Sequence, residues 1–265
     1  MLNESSIQDY LKTAEFNKPI RIHALDSVDS TNRFLKELPS SKMIEACCAE
    51  TQTHGRGRFG RQWHSPYGQN IYFSIRRHFD CEFSQLSGLS IVVSLAVLAT
   101  LNHMHIEDVR IKWPNDLIWN TKKLCGSLIE VIGESKTGVD VVIGIGLNVN
   151  SSMDELASLD RPCCSLYEIT GATLDRNTLI AKLIIHLEQH LHQFITQGLT
   201  SFIETWKHAD YLFGQFITVS QPTGYLNGRA NGINEEGQLI LIDEAGLAHF
   251  LSSGDTSLRR VDETQ

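Results

Sequence analysis

The chain has 265 residues, 42% hydrophobic and 20% charged, with a formal net charge of −8. Those proportions match ordinary globular proteins and exclude wholesale disorder, and the length suits one large domain or one domain with a small appendage. A nucleic-acid binder usually carries a basic surplus, so any cationic site here must be local against an acidic background.

The first seven residues, MLNESSI, lack a basic stretch followed by an apolar core, so no signal peptide is expected. Residues 7–16 predict a short helix, and "IRIHALDSV" (20–28) predicts a strand. Ser30, Thr31 and Asn32 precede "RFLKEL" as a capped helix start. Residues 43–50 read as a buried strand that runs into "THGRGRFGRQW" (53–63), and 70–76 alternate as a strand does. A helix is expected over 84–104. Its most apolar run, 89–101, is too short to span a bilayer and is interrupted by Ser90 and Ser94. Strands follow at 109–113, 117–119, 124–132 and 139–149, with turns at Pro114–Asn115–Asp116, Asn120–Thr121 and 133–138. Residues 175–197 form a long amphipathic helix that Gly198 can close. From Gly214 onward, short strands alternate with Gly and Asn turns, the pattern of a small β-barrel. The expected division is therefore 1–213 and 214–265. The six cysteines form no C-x-x-C pair, which argues for reduced, structural thiols in the cytosol.

Gly55-Arg56-Gly57-Arg58-Phe59-Gly60 spells the G-x-G-x-x-G of dinucleotide-binding folds. A strand precedes it, but Pro66 and Gly68 stand where the helix behind such a loop should begin. Without that helix the pyrophosphate loses its dipole site, so the dinucleotide reading fails. What the loop does offer is Arg56, Arg58 and Arg61 among small residues. Glycine lets backbone N–H groups approach a ligand, and arginine presents a planar fork to carboxylate or phosphate. A solvated basic loop, or an RNA contact with Trp63 and Tyr67 as stacking surfaces, is the competing reading. The acidic total weighs against it.

Residues 111–130, "IKWPNDLIWNTKKLCGSLIE", form a second constellation. A hairpin there can bring Asp116 near Lys123; on an open surface such a pair would matter little. Pro114 fixes the turn, Asn115 can bond a base edge and Asp116 can hold Mg. In "GIGLNVN" (144–150), Gly144, Gly146 and Asn148 end a strand where small residues permit close approach of a ligand.

Four blocks occur in order: "DSTNRF" (29–34), "ETQTHGRGRFGRQWHSPYGQNIYFS" (50–74), "KWPNDLIWNTKKLCGSLIE" (112–130) and "GIGLNVN" (144–150). Together they resemble the catalytic module of biotin–protein ligases, and "SLRR" (257–260) resembles that family's C-terminal barrel. The resemblance implies an α+β fold. It would hold a mixed, largely antiparallel sheet with packed helices, like a class II synthetase catalytic domain, plus a small C-terminal β-barrel. It also implies a reaction: biotin and ATP give biotinyl-AMP and pyrophosphate, and the acyl group then passes to one lysine of a biotin carboxyl carrier protein. By the same resemblance Lys123 contacts the biotin carboxylate and α-phosphate, and Arg58 holds the adenylate. Asp116 binds Mg or orients the incoming lysine. Ser30, Thr31, Asn32 and Gln52 line the biotin pocket, with Gly55, Arg56, Gly57, Gly126 and Gly144 beside Arg58 and Lys123. Trp63 stacks on adenine. Asn115 and Asn148 lie on the nucleotide side with Arg56, and Arg259 reaches ATP from the barrel. Lys112 is either a phosphate contact or half of a structural ion pair.

Phe59 departs from relatives that often carry a basic residue there, so it is expected either to weaken phosphate contact or to form an apolar lid. Only about 20 residues precede the first matched strand, too few for the winged-helix domain of some members. Neither operator binding, other nucleic-acid binding, nor a membrane is therefore expected; a homodimer is possible, and the location is cytoplasmic. Lipoate is the nearest alternative substrate, and a non-catalytic ligand- or RNA-binding module is the alternative of another class. His186, His190 and His192 are expected on a solvated helix face, and His54 and His64 have no base to supply, since an attacking carboxylate needs none. The glycine–arginine loop is expected to be mobile when empty and to order over its ligands.

Overall fold

The computed structural model describes residues 1–39, 41, 43–221, 224–252 and, as backbone, 257–260. Helix α1 (Glu4–Thr13) begins three residues before the expected position because Asn3 caps it, its side chain accepting from the Ser6 N–H at 3.0 Å. Strand β1 (Ile20–Val28), helix α2 (Thr31–Glu37), strand β2 (Ile44–Gln52) and strand β3 (Ile71–Phe79) follow. Next come α3 (Leu89–His103), β4 (Arg110–Lys112), β5 (Asp116–Trp119), β6 (Lys122–Ser135) and β7 (Gly138–Leu147). Two short helices, α4 (Met153–Ala157) and α5 (Leu166–Thr170), lead to α6 (Arg176–Gln197) and α7 (Ile203–Ala209). The chain closes with β8 (Phe216–Gln221), β9 (Gly224–Ile233), β10 (Leu239–Ile242), β11 (Ala248–Leu251) and β12 (Ser257–Arg260).

Seven strands make the main sheet, in the order β1-β2-β3-β7-β6-β5-β4. Only β1 and β2 run parallel, so the sheet is mixed and largely antiparallel, as expected. Its central strand β7 is apolar along most of its length and nearly all buried, which is what a strand paired on both sides and covered by helices requires. Helices α3 and α6 pack together over this sheet. The expected barrel is a five-stranded antiparallel sheet, β11-β10-β9-β8-β12.

The stretch Phe83–His103 is long and apolar enough by composition to cross a membrane, longer than the 89–101 run on which the sequence expectation rested. Most of it is buried inside the fold, and α3 carries apolar residues on all sides because it is covered on all sides. The C-terminal sheet shares this core through Ile217, Val219, Leu239, Leu241 and Leu251. Trp113 Nε1 donates to Gly237 O at 3.0 Å and Ser87 Oγ donates to Glu236 O at 2.7 Å. Gly237 packs directly on Gly88, Ile91 and Leu199.

The histidines depart from expectation. His186 and His190 are half-buried, and only His192 is exposed. His103 Nδ1 lies 3.1 Å from His186 Nε2, and the His190 ring stacks on Phe202 with centroids 5.7 Å apart. Burial lowers the pKa of both, and neighbouring His103 lowers that of His186 further. The turn that follows α6 folds back over these rings, a tertiary effect that helical periodicity cannot register. The intervening Glu188 points into the protein, where it meets Lys18 Nζ at 2.9 Å and Arg77 Nε at 3.0 Å.

Candidate active site

A cleft of about 840 Å³ opens where the start of α2, the end of β2, the glycine–arginine loop and the β4–β7 strands converge. It brings together Ser30, Thr31, Asn32, Gln52, Arg56, Gly57, Arg58, Trp63, Asn115, Asp116, Lys123, Gly126, Gly144 and Asn148, with Lys112 beside them. Gly55 is absent from the lining; it packs against the loop's own backbone, and an added Cβ would fall 2.4 Å from Trp63 O. The side chain of Arg259 lies outside the described residues; its backbone sits in β12 opposite Thr218. Six lysine or arginine side chains and two aspartates line the cleft, a local positive surplus in an acidic chain.

The floor is polar and carries a hydrogen-bond network. Ser30 occupies the cap position of α2 with extended backbone, yet its side chain makes no cap bond. The N–H and Oγ1 of Thr31 both donate to Gln52 Oε1, at 3.0 and 3.2 Å, and Gln52 Nε2 donates to Ser65 Oγ at 3.2 Å. Asn32 is held at both ends: its Nδ2 donates to Glu130 Oε2 at 2.8 Å, and Ser74 Oγ lies 2.6 Å from its Oδ1. Gly144 makes room for that amide, since a Cβ there would lie 2.2 Å from Asn32 Oδ1. Ser74 and Glu130 were not foreseen as site residues. Both close quoted sequence blocks, but nothing in a linear reading pairs them with Asn32.

The reactive side is built by two hairpin-linked strands. Asn120 and Thr121 have positive φ (45° and 67°), and this tight turn sets β5 against β6 with Asp116 opposite Gly126. Lys123 Nζ then reaches Asp116 Oδ1 at 2.6 Å, with the two side chains only 14% and 25% exposed. It is therefore not the exposed pair that would count for little. Arg58 Nη1 donates to Asn115 Oδ1 at 3.0 Å, and Asn115 Nδ2 donates to Ser127 O at 2.6 Å, which fixes the guanidinium over the cleft. Burial lowers the Arg58 pKa, with nearby Asp116 opposing the effect and Arg61 adding to it. Phe59, an exposed side chain at φ 57°, sits with its ring centroid 4.9 Å from that guanidinium.

Trp63 lies close against Gly146, where a Cβ would meet its ring at 2.3 Å, and Lys123 Nζ is 5.4 Å from the ring centroid. Its Nε1 is buried with no hydrogen-bond partner among the described residues. An unsatisfied buried donor costs about 1–3 kcal/mol, which an acceptor on a ligand would recover. Asn148 lines the cleft, and its amide donates to Cys164 O at 3.0 Å, bracing the backbone beside Lys123. The loop itself contains one 3-10 turn, Arg58–Gly60, and then extended chain, so no α-helix stands behind the glycines. Arg56 turns to Glu130, Nη1 to Oε1 at 3.2 Å. Among the described residues no group of three His, Cys, Asp or Glu side chains could hold a metal.

Residues 24–148 match the model of the biotin/lipoate A/B protein ligase family. The bifunctional ligase/repressor BirA of Escherichia coli K12 is 33% identical over 243 residues, covering 91% of this chain and 75% of that protein. The biotin–[acetyl-CoA-carboxylase] ligase of Mycobacterium tuberculosis H37Rv is 32% identical over 212 residues, 78% of this chain and 76% of that one. Among solved structures, the biotin protein ligase from Aquifex aeolicus in complex with biotin and ATP superimposes with a TM-score of 0.78 at 32% identity, over 91% of this chain and 99% of that one. A cation-rich cleft, a shared mixed sheet and this level of identity along the chain lead to one conclusion: the chain belongs to the biotin/lipoate A/B protein ligase family, among its biotin–protein ligases.

Proposed function

We propose that this protein joins biotin to ATP as biotinyl-5′-AMP and transfers the biotinyl group to a lysine of a biotin carboxyl carrier protein. In the first step a carboxylate oxygen attacks the α-phosphorus and pyrophosphate leaves. Both reactants are anionic, so cations must offset their repulsion and the charge that grows on the phosphate oxygens. Lys123 and Arg58 fill that role, one from β6 and one from the loop, and Asn115 keeps the guanidinium in place. In the second step a neutral lysine amine attacks the acyl carbon and AMP leaves. A free lysine titrates near pH 10.4, so the acceptor must lose its proton, which a cationic site favours; Asp116 orients it. Trp63 supplies the flat surface for adenine. Magnesium would arrive with ATP, Asp116 adding one carboxylate ligand to those of the phosphates.

The observation that carries this reading is the Lys123–Asp116 pair beside the Asn115-anchored Arg58 at one end of a polar-floored cleft. The floor favours biotin over lipoate, because a ureido ring can use the Thr31, Asn32 and Gln52 groups and a dithiolane cannot. Residues 1–213 carry the adenylation site, and 214–265 brace it. Six free cysteines and consumption of ATP fit a cytoplasmic location. The test is ATP–pyrophosphate exchange with purified protein and Mg: biotin should support it. No exchange with biotin would sink the reading, and exchange with lipoate instead would change the substrate.

A further inference from the structure

Glu130 on β6 joins three parts of the site. Its side chain is only 16% exposed. Oε2 accepts from Asn32 Nδ2 at 2.8 Å, on the floor of the pocket. Oε1 accepts from Arg56 Nη1 at 3.2 Å and is also bonded by Lys36 Nζ from α2. The two oxygens thus serve different partners, one on the floor and one on the loop above it. Each partner depends on the carboxylate for a different reason. With Ser74 against Oδ1, the Glu130 contact fixes which end of the Asn32 amide faces Gly144. In the loop, the backbone bonds of Gly55 and Gly57 run to the loop's own Trp63 and Arg61, whereas the Arg56 side chain reaches the body at Glu130. Arg58 to Asn115 is another side-chain tether from the loop to the body.

We propose that Glu130 is a positioning residue that couples the biotin pocket to the glycine–arginine loop, by holding the Asn32 amide in register with one oxygen and docking Arg56 with the other. The proposal rests on the biotin-adenylating reading for its substrate, but the tether itself can be read without ligand. Burial works to raise the Glu130 pKa, and the bonds from Lys36 and Asn32 outweigh it, so the carboxylate is ionised throughout the neutral range.

The two oxygens can be separated by substitution. Glu130→Gln keeps a carbonyl for Asn32 and removes the charge that docks Arg56; Glu130→Ala removes both. Limited trypsin digestion of the ligand-free protein should cut after Arg58 and Arg61 several-fold faster in Glu130→Gln than in wild type. Biotinyl-AMP should leave Glu130→Gln at least fivefold faster. KM for biotin should rise more in Glu130→Ala than in Glu130→Gln, with KM for ATP moving less than KM for biotin in both. A purely structural ion pair would instead lower the melting temperature and leave cleavage and retention alone. Folded Glu130→Gln with wild-type cleavage and wild-type retention overturns the proposal, whatever Glu130→Ala does. Should wild type fail to exchange pyrophosphate, the activity reading falls, and the ligand-free cleavage comparison still decides the tether.

Discussion

Gly144→Ala is the sharpest perturbation the site offers. The new methyl carbon would sit 2.2 Å from Asn32 Oδ1 and 2.9 Å from Asn32 Cγ. Carbon–oxygen contacts ordinarily start near about 3.3 Å, so roughly 1 Å must be found. The backbone cannot supply it, because Gly144 is paired to Ser74 of β3 on one side and Leu128 of β6 on the other. Asn32 cannot supply it without giving up Glu130 or Ser74. Overpacking of this kind costs about 1–3 kcal/mol, and one lost hydrogen bond about 1 kcal/mol. A net cost of about 2 kcal/mol lowers the melting temperature by about 4–8 °C in a chain near this size. A similar loss in pocket fit weakens biotin binding about 30-fold. Calorimetric titration with biotin and a thermal melt read the two effects. Gly133→Ala is the control: it lies on β6, and its nearest foreign atom would be Asp140 Oδ2 at an ordinary 3.7 Å. If Gly144→Ala bound biotin within about twofold of wild type and melted no lower than Gly133→Ala, the close packing of Asn32 on β7 would not matter to the pocket.

Lys123→Ala should remove detectable pyrophosphate exchange, a loss of at least about 10²–10³-fold, while a cooperative melt persists; a fully active variant would remove Lys123 from the mechanism. Arg58→Gly should release biotinyl-AMP faster, because a charged fork on the phosphate is gone, and unchanged dissociation of labelled intermediate would count against the clamp. The depressed pKa values of His186 and His190 carry a pH signature. A folded-state pKa below the unfolded value of 6.5 means stability that is complete above pH 6.5 and lost as pH falls through the folded values. The drop in melting temperature from pH 7.5 to 5.5 should therefore shrink in His186→Gln/His190→Gln; an identical drop would place acid sensitivity elsewhere.

Much of this site is readable from local chemistry. The alternation in 70–76, the Asn120–Thr121 turn and the small residues of 144–150 each specify their own backbone, so the Asp116–Lys123 approach follows from one short hairpin. What escapes a linear reading is whatever depends on three elements meeting. Ser74 and Glu130 become site residues only when β3, β6 and α2 lie together around Asn32. Asn148 lines the cleft, and its amide bond to the Cys164 carbonyl is a further contact that no linear reading pairs with it. The histidines sit off the apolar stripe of α6, as periodicity says, and are covered all the same by Phe202 and by His103 at the end of α3. Helices α4 and α5 are single turns held by Ser152 and Ser165 caps, too short for any period to register.

The indole of Trp113 sits directly before the Pro114–Asn115–Asp116 turn and ends on the backbone of Gly237, in the turn between β9 and β10. Only Pro114 and Asn115 stand between that indole's residue and Asp116. The turn at Gly237 thus holds the residue that opens the short path to the carboxylate beside Lys123. Cutting the chain at Gly214 would remove the Gly237 acceptor from the Trp113 indole. It would also take away Gly237 from its place against Ile91 and Leu199.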